Sequence, residues 1–162
     1  MFIEETYEQH LIDTLKAAKN DATPLAVKSI KAIDDVDITI ENFPSYAKIA
    51  PAVIVGVMDD EVLNANNALG DSQTLSYDVR IFLLVQNKSK RGAINATARP
   101  ILRKLKDTLR GKRFTTALGA TENTGILYYA GRQLIAAVGG IGLYLQSYEL
   151  HTLDTNDTRR TV

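Results

Sequence analysis

The chain contains no cysteine. This excludes disulfides, thiolate nucleophiles and Cys-type zinc or iron–sulfur sites. Only two histidines are present, His10 and His151, and no HxxxH, HxH or HExxH spacing occurs, so an imidazole-built metal or catalytic site lacks its convergent partners. No apolar run approaches the roughly 18 residues needed to span a bilayer. Met1-Phe2-Ile3-Glu4-Glu5 has no basic region before an apolar stretch and does not read as a secretory signal. GxSxG and GxGxxG are both missing.

The remaining composition is that of a globular domain. There are 162 residues, 45% hydrophobic and 23% charged, enough for one domain with a real core. The formal net charge is zero, but it is the sum of two opposed parts. Residues 88–113 hold ten Lys/Arg against one acid, Asp107, for a net +9; residues 1–78 hold five Lys/Arg against fourteen Asp/Glu, for a net −9. Such asymmetry bears on partners and association rather than on fold.

Periodicity organises the chain. Tyr7, Leu11, Leu15 and Ala18 predict an amphipathic helix over 4–19, with acids in its first turns and Lys16 and Lys19 in its last. Residues 25–33 lean to strand, and 34–50 read as acidic and irregular, with a helical turn around Ile40–Phe43. The apolar run 51–58 predicts a strand buried on both faces. Residues 59–73 read as a polar loop, and 75–85 as an alternating strand with Asp78 and Arg80 on the face opposite Tyr77, Val79, Ile81, Leu83 and Val85.

A second helix is predicted over 92–110. Ile94, Ala98, Ile101, Leu102, Leu105 and Leu109 form its core arc, while Arg99, Arg103, Lys106 and Arg110 form a separate basic stripe. Pro100 predicts either a kink or a regular helix beginning near Thr97. After a loop at 111–125, strands at 126–130 and 133–138 flank Gly131-Arg132, read as a hairpin turn. A last strand covers 143–152. The expectation is an α+β domain over 3–152: a mostly antiparallel sheet of four to six strands with two main helices packed on one face, followed by a polar, fraying tail at 153–162.

Candidate chemistry is sparse. Gly139-Gly140-Ile141-Gly142 lies between strands, where it suits a bulge or a close backbone crossing better than a phosphate cradle. Gly111-Lys112 resembles the end of a P-loop, but Arg113 stands where Ser or Thr is needed. Asp59-Asp60-Glu61 lacks the spacing of a calcium loop and reads as a solvated acidic loop. No catalytic residue, cofactor or metal is expected. The basic segment has two functional readings: phosphate neutralisation on a nucleic acid, or contact with the acidic half of a neighbouring copy. Phe114 is the one aromatic near it, and Asn and Gln for base readout are scarce on the stripe, which favours protein assembly.

Several phrases carry a family resemblance: "LIDTLKAAK", "APAVIVGVMDDE", "SYDVRIFLLVQNKSKRGA" running into "ARPILRKLKDTLRGKRF", and "LYLQSYELHT". Their order over residues 3–152 resembles the Mu-like prophage proteins encoded in the tail operon and, more loosely, the tail-terminator and tail-completion proteins of long-tailed phages. The resemblance implies a non-enzymatic structural protein that forms a ring, commonly hexameric, at the head-proximal end of the tail tube. Its implied partners are copies of itself and tail tube, sheath or neck proteins, in the virion tail and in the host cytoplasm during assembly, with no membrane role. The alternative is a nucleic-acid-binding accessory domain using 88–113. On charge alone, the expected contact residues are Arg99, Arg103, Lys106, Arg110, Lys112 and Arg113, with Asp59, Asp60 and Glu61 as their acidic counterparts.

Overall fold

The computed structural model describes residues 3–62, 72–87, 93–118 and 121–155. Helix α1 spans Ile3–Ala18 and helix α2 spans Ala93–Leu109. The strands are β1 (Ser29–Ala32), β2 (Ala52–Val62), β3 (Ser72–Gln86), β4 (Arg113–Leu118), β5 (Thr121–Val138) and β6 (Ile141–Thr155). They form one sheet in the order β1-β2-β3-β6-β5-β4, in which only the β1–β2 pair is parallel. The expected α+β class and helix placement are thus observed, with a sheet that is mixed by virtue of one short strand.

The centre of the sheet is the β3–β6 pair, which runs in unbroken antiparallel register from Ser72↔Thr155 to Gln86↔Ile141. The alternation of 75–85 decides its faces. Tyr77, Val79, Ile81, Leu83 and Val85 pack under the helices with Val53 and Val55 of β2 and Tyr144, Tyr148 and Leu150 of β6. Both helices present their periodic residues to this face: Tyr7, Leu11, Leu15 and Ala18 from α1, and Ala98, Ile101, Leu102, Leu105 and Leu109 from α2. The other face is closed at one end by the 3-10 segment Phe43–Ile49, whose Phe43 is buried with Ala50, Ala52, Leu84, Ile141 and Leu143. Burying each such large side chain contributes about 1.5–3 kcal/mol relative to exposure.

Five sequence expectations are corrected. The segment 25–33 is a strand only at Ser29–Ala32, followed by a 3-10 turn at Ile33–Asp35. The helical turn expected at Ile40–Phe43 lies later, at Phe43–Ile49, where Pro44 suits the first turn. The polar loop expected from residue 59 begins beyond Val62, because Asp60, Glu61 and Val62 pair with Tyr77, Ser76 and Leu75 across a bulge after Val57. The rest of that loop, 63–71, lies outside the described residues. Helix α2 does not wait for Thr97: it begins at Ala93 and contains Pro100.

The fifth correction concerns 111–138. The expected loop contains β4, and Gly131-Arg132 is no turn: β5 is continuous through it and pairs with β6 along its length. The hairpin turn is Gly139-Gly140, both at positive φ (+59° and +80°), a backbone that side-chain-bearing residues seldom adopt. Gly142 follows on a close approach, since a Cβ there would lie 2.6 Å from Cγ2 of Ile94. The backbone of β6 extends through Thr155, so the start of the expected tail is paired, and 156–162 lies outside the described residues.

Candidate interaction surface

The basic stripe on α2 lies beside β5. Arg99, Arg103 and Lys106 join Leu102, Tyr129, Arg132 and Gln146 in lining a groove of about 290 Å³ between the helix and the sheet. Four of these seven side chains are cationic and none is acidic. Arg99, Arg103 and Arg132 are exposed and form no ion pair among the described residues. Lys106 is half-buried, its Nζ 4.5 Å from the centroid of the Tyr129 ring, a cation–π contact that holds its charge at the groove wall.

Arg132 reaches the groove through a bulge. Tyr129 pairs with Tyr148 and Gly131 with Ser147, so Ala130 is an extra residue in β5. Simple alternation from Tyr129 would put Gly131 on the helix face. The bulge absorbs Ala130 and pairs Arg132 with Gln146 instead, on the face where α2 lies. Gly131 has φ +134°, which gives the chain the turn this requires. A second shift, between Leu134 and Ala136, leaves Leu134 opposite Tyr144 on the same face, 48% exposed.

The floor of the groove is a satisfied polar network. Gln146, 1% exposed, donates from Nε2 to the carbonyl of Leu102 (2.7 Å) and accepts at Oε1 from the Tyr148 hydroxyl (2.7 Å). Burial pushes the Tyr148 hydroxyl well above the usual phenol range, with Tyr129 and Asp107 adding to the effect. Tyr144 donates to Asn95 Oδ1. Its hydroxyl is also raised by burial, opposed by the positive charges of Arg99 and Arg132.

The other basic residues do different work. Lys104 forms a 2.7 Å ion pair with Asp21 after α1, tying the two helices together. Arg110 is exposed beyond the end of α2, and Arg113 begins β4 opposite Ile126. Lys112 lines a separate hollow with His10, Asp13, Thr14 and Thr108. The expected six-residue surface is therefore divided: Arg99, Arg103 and Lys106 converge, whereas Arg110, Lys112 and Arg113 trail away. Sequence reading missed Arg132 and Tyr129; the available signal was Gly131 inside an apolar run, which marks a bulge as readily as a turn. Lys88, Lys90 and Arg91 lie outside the described residues.

Asp59, Asp60 and Glu61 sit at the outgoing end of β2. A second acidic surface is built by exposed Asp34, Asp35, Asp37 and Glu41, none ion-paired among the described residues. Its field is felt by Glu8, whose carboxyl is raised mainly by burial, against a stabilising hydrogen bond from the Val57 N–H, and further by Asp34, Asp35 and Glu5. Asp34 and Asp35 follow β1, whereas Asp37 and Glu41 lead into Phe43, which packs on the sheet face opposite the helices. The groove belongs to β5 and β6, on the far side of β2 and β3.

Among the described residues no group of three or more His, Cys, Asp or Glu is arranged to hold a metal, and no helix is long and apolar enough to cross a membrane. His10 packs beside Phe114, with ring centroids 6.2 Å apart. His151 contacts Glu149 (3.1 Å) and the Tyr128 ring (centroids 4.6 Å apart).

No protein-family model matches the sequence, and no curated protein does. In fold, the chain is similar to a chain of the virion of the native gene transfer agent (GTA) particle, with TM-score 0.49 and 12% sequence identity over 87% of this chain and 92% of that one.

Proposed function

We propose that this chain is a structural component of a phage-type particle, a tail-terminator or tail-completion subunit that assembles as a ring at the head-proximal end of the tail tube. The observation that carries the reading is the separation of unneutralised charge. A cationic groove on α2, β5 and β6 and an exposed acidic segment at 34–41 occur in one chain of zero net charge. Contacts between unlike patches on copies of one protein are heterologous and close into rings when the rotation permits. Zero net charge removes the overall repulsion that would oppose the approach of copies. The order of phrases shared with tail-operon proteins supports the placement at the tail, and tail tube, sheath or neck proteins are the further partners.

The test is assembly. Native mass spectrometry and electron microscopy of the protein, alone and with tail-tube protein, should show a ring-sized oligomer free or seated on tube ends. A strictly monomeric particle at every concentration, with no binding to tube or sheath, overturns the reading.

A nucleic-acid-binding accessory domain is the second reading, and the four groove cations favour it. Duplex DNA should then be retained with a steep salt dependence that flattens when Arg99 and Arg103 become Ala. The ring of Tyr129 argues against base stacking there, since it is engaged by Lys106 and packs edge-on to Tyr148 at 5.5 Å. Absence of retention at low salt removes this reading.

A further inference from the structure

The acidic surface ends in a loop built to hold its shape. Asn42 is its clasp: Oδ1 accepts from the Thr39 N–H (2.6 Å), Nδ2 donates to the Asp37 carbonyl (2.6 Å), and the Asn42 N–H donates to Thr39 Oγ1 (3.2 Å). The Tyr46 hydroxyl also donates to the Asp37 carbonyl (3.2 Å). Within this frame Ile40 is 60% exposed, the largest exposure among the big apolar side chains described, and Asp37 and Glu41 stand exposed beside it. An apolar side chain flanked by carboxylates on a loop already fixed by hydrogen bonds loses little freedom on docking.

The groove offers the complement. Arg99, Arg103 and Arg132 have planar donor forks suited to carboxylates, and none of the three is ion-paired among the described residues. Leu134 shares the face of Arg132 two residues on and is 48% exposed. The loop leads into Phe43 on the sheet face opposite the helices, whereas the groove lies on the helix face, so one copy cannot satisfy both; two copies in head-to-tail order can.

We propose that the Asp37–Glu41 loop of one copy docks in the α2–β5 groove of the next. Asp37 and Glu41 meet Arg99, Arg103 and Arg132, and Ile40 meets Leu134. This contact rests on the ring reading and names the surfaces that would join successive subunits. The charged pairs set direction and register, while the apolar pair adds affinity that salt does not screen.

The test uses two full-length variants, each checked for native circular dichroism. The groove variant is Arg99→Gln, Arg103→Gln and Arg132→Gln; the loop variant is Asp37→Asn, Ile40→Ser and Glu41→Gln. Sedimentation velocity at low salt should show wild-type self-association, and each variant alone should weaken it on the order of tenfold or more. Mixed, the two variants retain one intact loop and one intact groove, so they should form a one-to-one dimer that grows no further. Wild-type protein that stays monomeric at low salt, or variants that associate as the wild type does, overturns the contact. So does a mixture no larger than its parts, or a groove whose cations are needed for duplex DNA retention and not for self-association. Variants that still form wild-type rings on tail tube sink this contact and leave the ring reading standing; wild-type protein that binds neither itself nor tube sinks both.

Discussion

The side-chain amide of Gln146 on β6 donates to the main-chain carbonyl of Leu102 on α2, 2.7 Å away. The same amide accepts the Tyr148 hydroxyl at 2.7 Å, so two buried polar side chains and one helix carbonyl form a chain beneath the cationic groove. A polar residue in a core is tolerated when its donors and acceptors are paired. Here the pairing also fixes how α2 sits on β6, and with it where Arg99, Arg103 and Lys106 stand.

Gln146→Leu keeps the volume roughly constant but strands the buried Tyr148 hydroxyl, and should cost about 1–3 kcal/mol in urea denaturation. Tyr148→Phe leaves Gln146 Oε1 without its donor and should cost about 1 kcal/mol. The double variant removes donor and acceptor together and should cost less than the sum of the two. Strict additivity would show that the hydroxyl and the amide are not coupled.

Glu8 supplies a pH dependence. Burial, with Asp34, Asp35 and Glu5 nearby, raises its carboxyl above the ordinary 4.5 in the folded chain. Folding therefore favours the protonated form. The ionised carboxylate opposes folding once pH exceeds the folded value, and the opposition vanishes below about 4.5, where both states are protonated. Glu8→Gln should be more stable than wild type at pH 7, by about half a kcal/mol or less given solvent screening, and the gap should close toward pH 4. An unchanged gap across that range would assign the effect to packing instead.

The two helices and β3 could be read directly, because their apolar periods of 3.6 and 2 are what burial on one face selects. Ala98, Leu102, Leu105 and Leu109 are buried as the helical wheel places them. What could not be read was supplied by distant strands. The glycines at 125 and 131 read as breaks, yet β6 provides Gly125 and Gly131 with partners in Thr152 and Ser147. Asp60 and Glu61 look like loop residues until Tyr77 and Ser76 are seen opposite them. The groove was half legible for the same reason: its helical cations follow a local period, whereas Arg132 arrives only through a bulge defined by pairing with β6.

Pro100 is exposed inside α2 and cannot donate to the Ala96 carbonyl. Pro100→Ala restores that donor and relieves the ring's crowding of the preceding turn. Part of the gain is offset by the greater freedom of the unfolded chain, about 0.4–1 kcal/mol. The net should be a stabilisation of about 1–2 kcal/mol, read as a higher denaturation midpoint. A lower midpoint would mean that the turn before Pro100 depends on the shape proline imposes.

Gly131 separates a conformational cost from a steric one. A Cβ at this position would meet nothing within 4 Å, so Ala fits the space; its φ of +134° is nevertheless one that Ala seldom adopts. Gly131→Ala should therefore cost about 1–3 kcal/mol through the backbone alone. The strand can relieve that strain by giving up the bulge at Ala130, and the relief would change which face Arg132 occupies. The signature is thus a paired loss, in stability and in low-salt self-association, while Gln133→Ala on an exposed neighbour should change neither. Loss of stability with self-association intact would show that the groove does not depend on the bulge. No loss of either would show that β5 can pass residue 131 without the positive φ.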